Sequence, residues 1–247
     1  SCLTVIELTD RCNLTCPTCY AGSSPTFGRH RTLEEVKKML DVIVKNEGEP
    51  DVVQLSVGEP TIHPQFFEIL DYAKTLPIRH LMLNTNGIKI AKDFEIYLQF
   101  DSLNNHVLQT LRGADLADVR LKSIDHLNQL NLSTTLVVTL QKGLNDHEMG
   151  STIDFALKQK CVRGVTFQPT QIAGRLENFE VDENRITLTE VRRKILEQSL
   201  VFQPDDLIPV PCNPDALVMA YALKLGNDIS SLTRYINPDD LLNEGKN

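Results

Sequence analysis

The 247-residue sequence has no tryptophan and few aromatic residues, 6% in all. The missing tryptophan excludes nothing, but other absences do. No apolar run approaches the roughly 20 residues that a membrane-spanning helix needs; the longest candidate, residues 216–225, is broken by polar neighbours and reads as a buried or interfacial helix. Positive charge is scarce: 25 Lys and Arg stand against 33 Asp and Glu, a net charge of −8. Phosphate backbones want clustered Lys and Arg, so a nucleic-acid partner is not expected, and Arg192-Arg193-Lys194 reads as the solvated face of a helix. No secretory leader is expected from the residues given. That absence carries little weight, because the chain opens on Ser1 and enters a strand almost at once, so residues are expected to be missing before residue 1. The six cysteines form no regular disulfide framework, which points to a reducing compartment and a cytoplasmic location.

Three of those cysteines fall together in Thr9-Asp10-Arg11-Cys12-Asn13-Leu14-Thr15-Cys16-Pro17-Thr18-Cys19-Tyr20. An odd number of thiols in one loop leaves at least one unpaired, and the C-x3-C-x2-C spacing argues for metal. Zinc wants a fourth ligand at comparable spacing, a second C-x2-C or an H-x3-H, and none follows Cys19 within reach. Three cysteines suit a cubane iron–sulfur cluster whose fourth iron stays open to a ligand that is not protein. A zinc knuckle completed by a distant residue such as His30 or His63 is the alternative that spacing leaves open.

Residues 3–8 read as a strand, and the cysteine loop leaves its C-terminal end. After a polar loop over 22–31, Thr32 and Glu35 form a capping box. It opens a helix with the apolar stripe Leu33, Val36, Met39, Leu40, Ile43 and Val44, which Gly48 and Pro50 end. The unit then repeats: strands over 52–55, 80–83, 96–100, 134–140 and 164–167 alternate with helices over 65–76, 116–130 and 148–158. This alternation predicts one large α/β domain with a parallel sheet and right-handed crossovers, either doubly wound or part of a barrel. In both, the active site lies at the C-terminal ends of the strands. The residues delivered there are Asp10 with the cysteines, Ser56 with Glu59, Asn84 to Asn86, Gln99 with Asp101, Thr139 with Gln141, and Gln168. One connection is too short. A parallel crossover takes a dozen or more residues, yet only residues 88–95 separate two strands, so residues are expected to be missing there. Beyond Gln168 come a polar loop over 169–180, a helix over 189–200 capped by Thr187 or Thr189, and a proline-rich stretch over 201–214 that carries Cys212. The 216–225 helix and a terminal helical remnant over 238–247 follow.

Two motifs carry a family resemblance. The cysteine run resembles the signature of radical S-adenosylmethionine (radical SAM) enzymes, and Ser56-Val57-Gly58-Glu59-Pro60, at the end of the next apolar strand, is similar to the family's Gly-Gly-Glu-Pro segment. Cys-Pro-Thr-Cys-Tyr-Ala is similar to a subgroup containing archaeal tetraether lipid synthase and dihydropterin methylase-like proteins. The resemblance implies a partial (β/α)6 TIM-like barrel over residues 1–170, with residues 171–247 as an extension that closes the barrel and lines the substrate side. It implies that Cys12, Cys16 and Cys19 hold a [4Fe-4S] cluster and that SAM binds the open iron through its amino and carboxylate groups. An electron from flavodoxin or ferredoxin would then cleave SAM to methionine and a 5′-deoxyadenosyl radical. That radical would take hydrogen from an unactivated carbon of a small-molecule or lipid substrate, for methylation or carbon–carbon coupling on a lipid or pterin. The alternatives are a peptide-modifying maturase, although the usual cysteine-rich C-terminal extension is not visible, and a zinc-binding non-catalytic protein.

The resemblance also nominates cofactor-binding side chains, while no catalytic side chain stands out. Glu59 would take the SAM ammonium, where a lone Glu is otherwise a surface or helix N-terminal charge. Gln99 and Asp101, two positions apart on one strand, would reach the ribose hydroxyls or else form a satisfied polar pair inside the barrel. Asn84, Thr85 and Asn86 are candidates for the SAM carboxylate, though Asn86-Gly87 is also a turn signal. Val137, Thr139 and Gln141 are candidates for the adenine edge, with Gln168 beside them. Ser56 and Gly58 complete the second motif. Where the family has an aromatic or His before the third cysteine, this chain has Thr18, with Tyr20 just after. Val57 replaces a family glycine: a β-branched side chain is tolerated if the backbone is extended, and weakens SAM binding if φ is positive. Cys212 reads as a buried thiol or a ligand of an auxiliary cluster, but Cys2 and Cys161 supply no C-x2-C partner. The six histidines lack metal-type spacing.

Overall fold

Period-two alternation in the strands decides how this chain is layered. A computed structural model describes residues 3–88, 95–210, 213–226, 228–238 and 240. In chain order its elements begin with β1 (Thr4–Glu7), the two-residue β2 (Thr18–Cys19), α1 (Leu33–Glu47), β3 (Val52–Ser56), α2 (Phe66–Lys74), β4 (His80–Thr85), β5 (Glu95–Gln99) and α3 (Asn105–Arg112). There follow α4 (Ala117–Leu130), β6 (Thr134–Leu140), α5 (Met149–Lys158), β7 (Val162–Pro169), the short β8 (Arg175–Leu176), α6 (Val181–Asn184) and α7 (Leu188–Gln198). The chain ends with β9 (Ile208–Pro209), β10 (Val218–Met219), β11 (Ala222–Leu225) and β12 (Asp228–Ser231).

The six long strands form one parallel sheet in the order β1-β3-β4-β5-β6-β7. That order follows the chain without a reversal. A doubly wound sheet reverses its order at a switch point, so of the two architectures the alternation allowed, the barrel-type wall is the one formed. Leu55, Leu83, Ile96, Leu98, Leu136, Val138 and Leu140 point to one face and are buried. They pack with Val36 and Leu40 of α1, Ile69 of α2, Ile124 and Leu127 of α4 and Met149 of α5. The alternate positions at the strand ends, Ser56, Asn84, Gln99 and Thr139, face the other way and line a cavity.

Local signals explain the helices. Thr32 Oγ1 accepts the Glu35 amide at 3.2 Å while Glu35 accepts the Thr32 amide at 2.7 Å. Thr187 and Glu190 form the same reciprocal cap on α7, which selects Thr187 over Thr189.

Three expectations are corrected. Residues 216–225 are not a helix: β10 pairs with β9, and β11 pairs with β12 in a hairpin whose register, Leu225 opposite Asp228, leaves a two-residue connection. Gly226, at φ +64°, and Asn227 are a hairpin signal that outweighs the apolar content. Second, α3 lies where no helix was expected, although Asn104 caps it and Gly113 ends it in the left-handed region. Third, the loop over 169–180 contains β8, which pairs with β2. The gap expected within 88–95 and the remnant over 238–247 fall largely outside the described residues, as does Cys212.

Leu136 is fully buried and Leu200 is 97% exposed. Leu136→Ala should lower the unfolding free energy by ~2–5 kcal/mol, and Leu200→Ala should change it by less than ~0.5 kcal/mol, both read from denaturant midpoints of the apoprotein.

Candidate functional site

The loops at the C-terminal ends of the strands enclose a cavity of about 540 Å³. The cysteine loop leaves β1 and is fixed by backbone pairing with the segment that returns to α1: Asp10 N donates to Arg29 O at 3.0 Å and Cys12 N to Ser24 O at 3.2 Å. Cys12, Cys16 and Cys19 all face the cavity and all are free thiols. Burial pushes the Cys12 thiol up to about 11, with nearby Glu59 adding to the rise. Burial also raises Cys16, opposed by the Arg112 guanidinium against it. Asn86 Nδ2 donates to Asn13 Oδ1 at 2.7 Å and to Cys12 Sγ at 3.8 Å, bracing the first cysteine.

Three soft donors on one wall fit an iron–sulfur cluster. Among the described residues no three His, Cys, Asp or Glu side chains converge closely enough to hold a single metal ion. His63 has both ring nitrogens engaged, Nε2 with Arg31 O at 2.7 Å and Nδ1 with the Gln65 amide at 3.0 Å. His30 packs edge-on against it at 5.2 Å, and neither ring lines the cavity.

Next to the thiols, Gly58 sits at φ +63°, and a Cβ there would meet Arg11 O at 2.1 Å, so only glycine fits. Val57 has φ +66°. The strained case foreseen for this β-branched residue is therefore the one that occurs. Glu59 is buried, 1% exposed. Its Oε1 accepts from the Thr61 amide and hydroxyl and from Thr85 Oγ1, and its Oε2 accepts from the Asn86 amide at 2.7 Å. Burial raises its pKa, and these donors oppose the rise.

On the other side of the Asn86 Cα, Arg120 Nη1 donates to Asn86 O. Arg120 is fully buried yet lines the cavity, and its Nε and Nη2 have no partner among the described residues. Burial pulls its pKa down to about 10. Two unpartnered guanidinium donors on a residue that lines a cavity are the chemistry that an anion satisfies.

Asp101, also fully buried, holds Arg112 through two bonds of 2.7 Å and accepts from Gln99 Nε2 at 2.8 Å and the Thr139 amide at 3.0 Å. Burial works against the Asp101 charge, but Arg112 prevails and keeps the carboxyl below its usual range.

Of the nominated residues, Tyr20, Ser56, Gly58, Glu59, Asn84, Thr85, Asn86, Gln99, Thr139 and Gln168 line the cavity with the three cysteines. Asp101, Gln141 and Val137 do not. Asp101 spends its carboxylate inside the wall, the satisfied pair rather than the ribose contact. The Gln141 backbone is tied to Asn145 at 3.0 Å. The cavity also takes Arg112, Arg120, Thr166, Thr170 and Gln171, which sequence reasoning missed. Arg112 was legible in hindsight as the last residue before the Gly113 helix stop, whereas nothing marked Arg120 among the charges of α4.

The radical SAM superfamily model matches residues 6–156. The chain is 32% identical over 238 residues to a 7,8-dihydro-6-hydroxymethylpterin dimethyltransferase of Methanocaldococcus jannaschii, covering 90% of this chain and 47% of the relative. It is 26% identical over 235 residues to a GTP 3′,8-cyclase of Pseudomonas fluorescens, covering 90% of this chain and 69% of that one. The chain thus spans about half the length of the first of these relatives. Among solved structures, Streptococcus suis SuiB bound to S-adenosylmethionine superposes with a TM-score of 0.64 at 16% identity, over 78% of this chain and 45% of SuiB. That likeness is one of fold.

Removing one partner of a buried ion pair strands the other, so Asp101→Ala should cost ~3–5 kcal/mol in unfolding free energy, and adding Arg112→Leu should recover much of it. Val57→Gly should stabilise by ~1 kcal/mol, the relief of left-handed strain less the chain entropy that glycine adds to the unfolded state. Both are read as shifts in urea midpoint.

Proposed function

Because the chain belongs to the radical SAM superfamily, whose enzymes use a [4Fe-4S] cluster and SAM, we propose that Cys12, Cys16 and Cys19 hold that cluster and that the cavity serves C–H activation on a neutral heterocycle of pterin type. Methyl transfer or carbon–carbon coupling is the outcome. When bound, the two cofactors supply reductive cleavage of the SAM sulfonium and hydrogen-atom abstraction, and the protein supplies position and dryness.

The observation that carries this reading is the pair of opposite charges that hold the backbone N–H and C=O of Asn86. Glu59 Oε2 has lone-pair capacity left for an ammonium, and Arg120 has two donors left for a carboxylate, which together match the amino-acid end of SAM. Gln99 and Thr139, at neighbouring strand ends, offer amide and hydroxyl groups to its nucleoside. The Asn84 amide donates to Ser56 Oγ at 3.1 Å, which ties β4 to β3 at that end of the wall.

The substrate side supports a neutral ring. Thr166, Gln168 and Gln171 can both donate and accept there, while the Thr170 hydroxyl, which donates to Leu140 O at 2.9 Å, keeps acceptor capacity. The charged lining residues among those described are Glu59, Arg112 and Arg120, all on the cofactor side. A nucleoside triphosphate, as in the name of the cyclase relative, would call for further cations. The pterin named for the Methanocaldococcus relative would not. Phe167 and Leu217 would accommodate a lipid chain, a second reading that the four amide and hydroxyl side chains make the weaker one. We assign residues 1–170 to the cofactor-binding core and residues 171–247 to an extension on the substrate side, with flavodoxin or ferredoxin as electron donor. No helix among the described residues is long and apolar enough to cross a membrane.

The test is anaerobic reconstitution with iron and sulfide, reduction, addition of SAM and quantification of 5′-deoxyadenosine. The wild type should form it, faster with 7,8-dihydro-6-hydroxymethylpterin than with GTP, and Cys16→Ala should form none. Arg120→Met should weaken SAM binding about 10- to 100-fold, the worth of hydrogen bonds to a charged group. Iron incorporation without SAM cleavage would overturn the reading.

A further inference from the structure

We infer that Gly174 and Arg175, on the strap that follows β7, are positioning residues for the cysteine loop and hold Cys19 where a cluster needs it. The inference rests on the reading that Cys12, Cys16 and Cys19 bind that cluster. Cys12 and Cys16 are fixed from within the N-terminal half of the chain, by Ser24, Asn86 and Arg112. Cys19 has the Gly22 amide on its carbonyl at 3.1 Å and Arg112 on the Thr18 carbonyl at 3.3 Å, and it is fixed from elsewhere as well. β2 pairs antiparallel with β8, Thr18 opposite Leu176 and Cys19 opposite Arg175. The bracket is closed on both sides: the Glu177 amide donates to Pro17 O at 3.1 Å, and Arg175 Nη2 donates to Ser23 O at 2.6 Å, 152 positions away in the chain. The third cysteine is thus held by backbone hydrogen bonds to a segment that no local sequence signal connects to it.

Gly174 sets the distance. It lies at φ +67°, and a Cβ there would sit 2.3 Å from Cys19 O and 2.2 Å from Tyr20 O. Those are backbone atoms, so a side chain cannot be absorbed by a rotamer change and must push the strap or the ligand loop away. Gly226 supplies the control. Its φ is +64°, nearly the same, but a Cβ there meets nothing within 4 Å, so alanine costs the same backbone strain without touching the loop. Gln171 and Ala173 of the strap also line the cavity, which places the clamp directly beside the substrate side.

The experiment uses the reconstituted holoprotein and follows iron loss to a chelator, the EPR signal of the reduced cluster and the melting of the apoprotein. Gly174→Ala should lose iron about tenfold faster than wild type, in the range that outer partners of metal ligands command, and should broaden the EPR signal. Its apoprotein should still fold, melting below that of Gly226→Ala by the cost of displacing the strap, whereas Gly226→Ala keeps wild-type iron retention. Wild-type retention in Gly174→Ala, or equal losses in the two glycine variants, would overturn the inference. If Gly174→Ala fails to fold, Arg175→Gln decides: faster iron loss with an unchanged apoprotein melt supports the clamp, and wild-type retention refutes it. A wild type that takes up no iron would instead sink the cluster assignment itself.

Discussion

The buried ion pair between Asp101 and Arg112 is the interaction on which the site depends. Asp101 closes β5 in the left-handed region, at φ +60°, and Arg112 is the last residue of α3. Their two bonds therefore fix the helix against the sheet. The guanidinium also donates to Thr139 Oγ1 at 2.8 Å and Thr18 O at 3.3 Å and faces the Cys16 thiol. One side chain thus joins β5, β6, α3 and the cysteine loop. A buried pair adds little net stability over an apolar replacement, but it penalises every arrangement that leaves one charge alone. Here that penalty specifies where the loop with Cys16 sits, and it leaves a cation where thiolates would carry negative charge.

The second organising feature is the backbone of Asn86. Glu59 holds its N–H and Arg120 its carbonyl, while the side chain of the same residue braces Asn13 and Cys12. Opposite charges are thus held by the two polar backbone groups of one residue, each with bonding capacity left over and each on a residue that lines the cavity. At low local dielectric such groups act strongly on a zwitterionic ligand. Across the cavity the lining turns neutral, and on this asymmetry rests the proposed division into a cofactor half and a substrate half.

Much of this was legible in the residues because local and global preferences agree. The capping box at Thr32, the alternation of Leu98 with Gln99 and of Leu140 with Thr139, and the cysteine spacing all point to the same wall and the same end of it. What escaped was non-local. Arg120 looks like any helical charge until its burial is known. Asp101 looked like a ligand contact because its partner Arg112 comes from a helix that the sequence reading passed over. The pairing of β8 with β2 depends on two residues and a glycine far from the loop they hold, with no periodicity to announce it. The apolar 216–225 segment misled because composition was weighed above the Gly226-Asn227 turn. At Val57 the two conformational outcomes were both foreseen, and only coordinates could choose the strained one.

The central claim is that three thiols, Glu59 and Arg120 form one site for an iron–sulfur cluster with SAM on its open iron. The most direct measurement is the EPR spectrum of the anaerobically reconstituted, reduced protein before and after SAM is added. A [4Fe-4S]⁺ signal whose g values shift on adding SAM is the predicted result. A cluster signal that SAM leaves unchanged, or a colourless protein that holds zinc in place of iron, would contradict it.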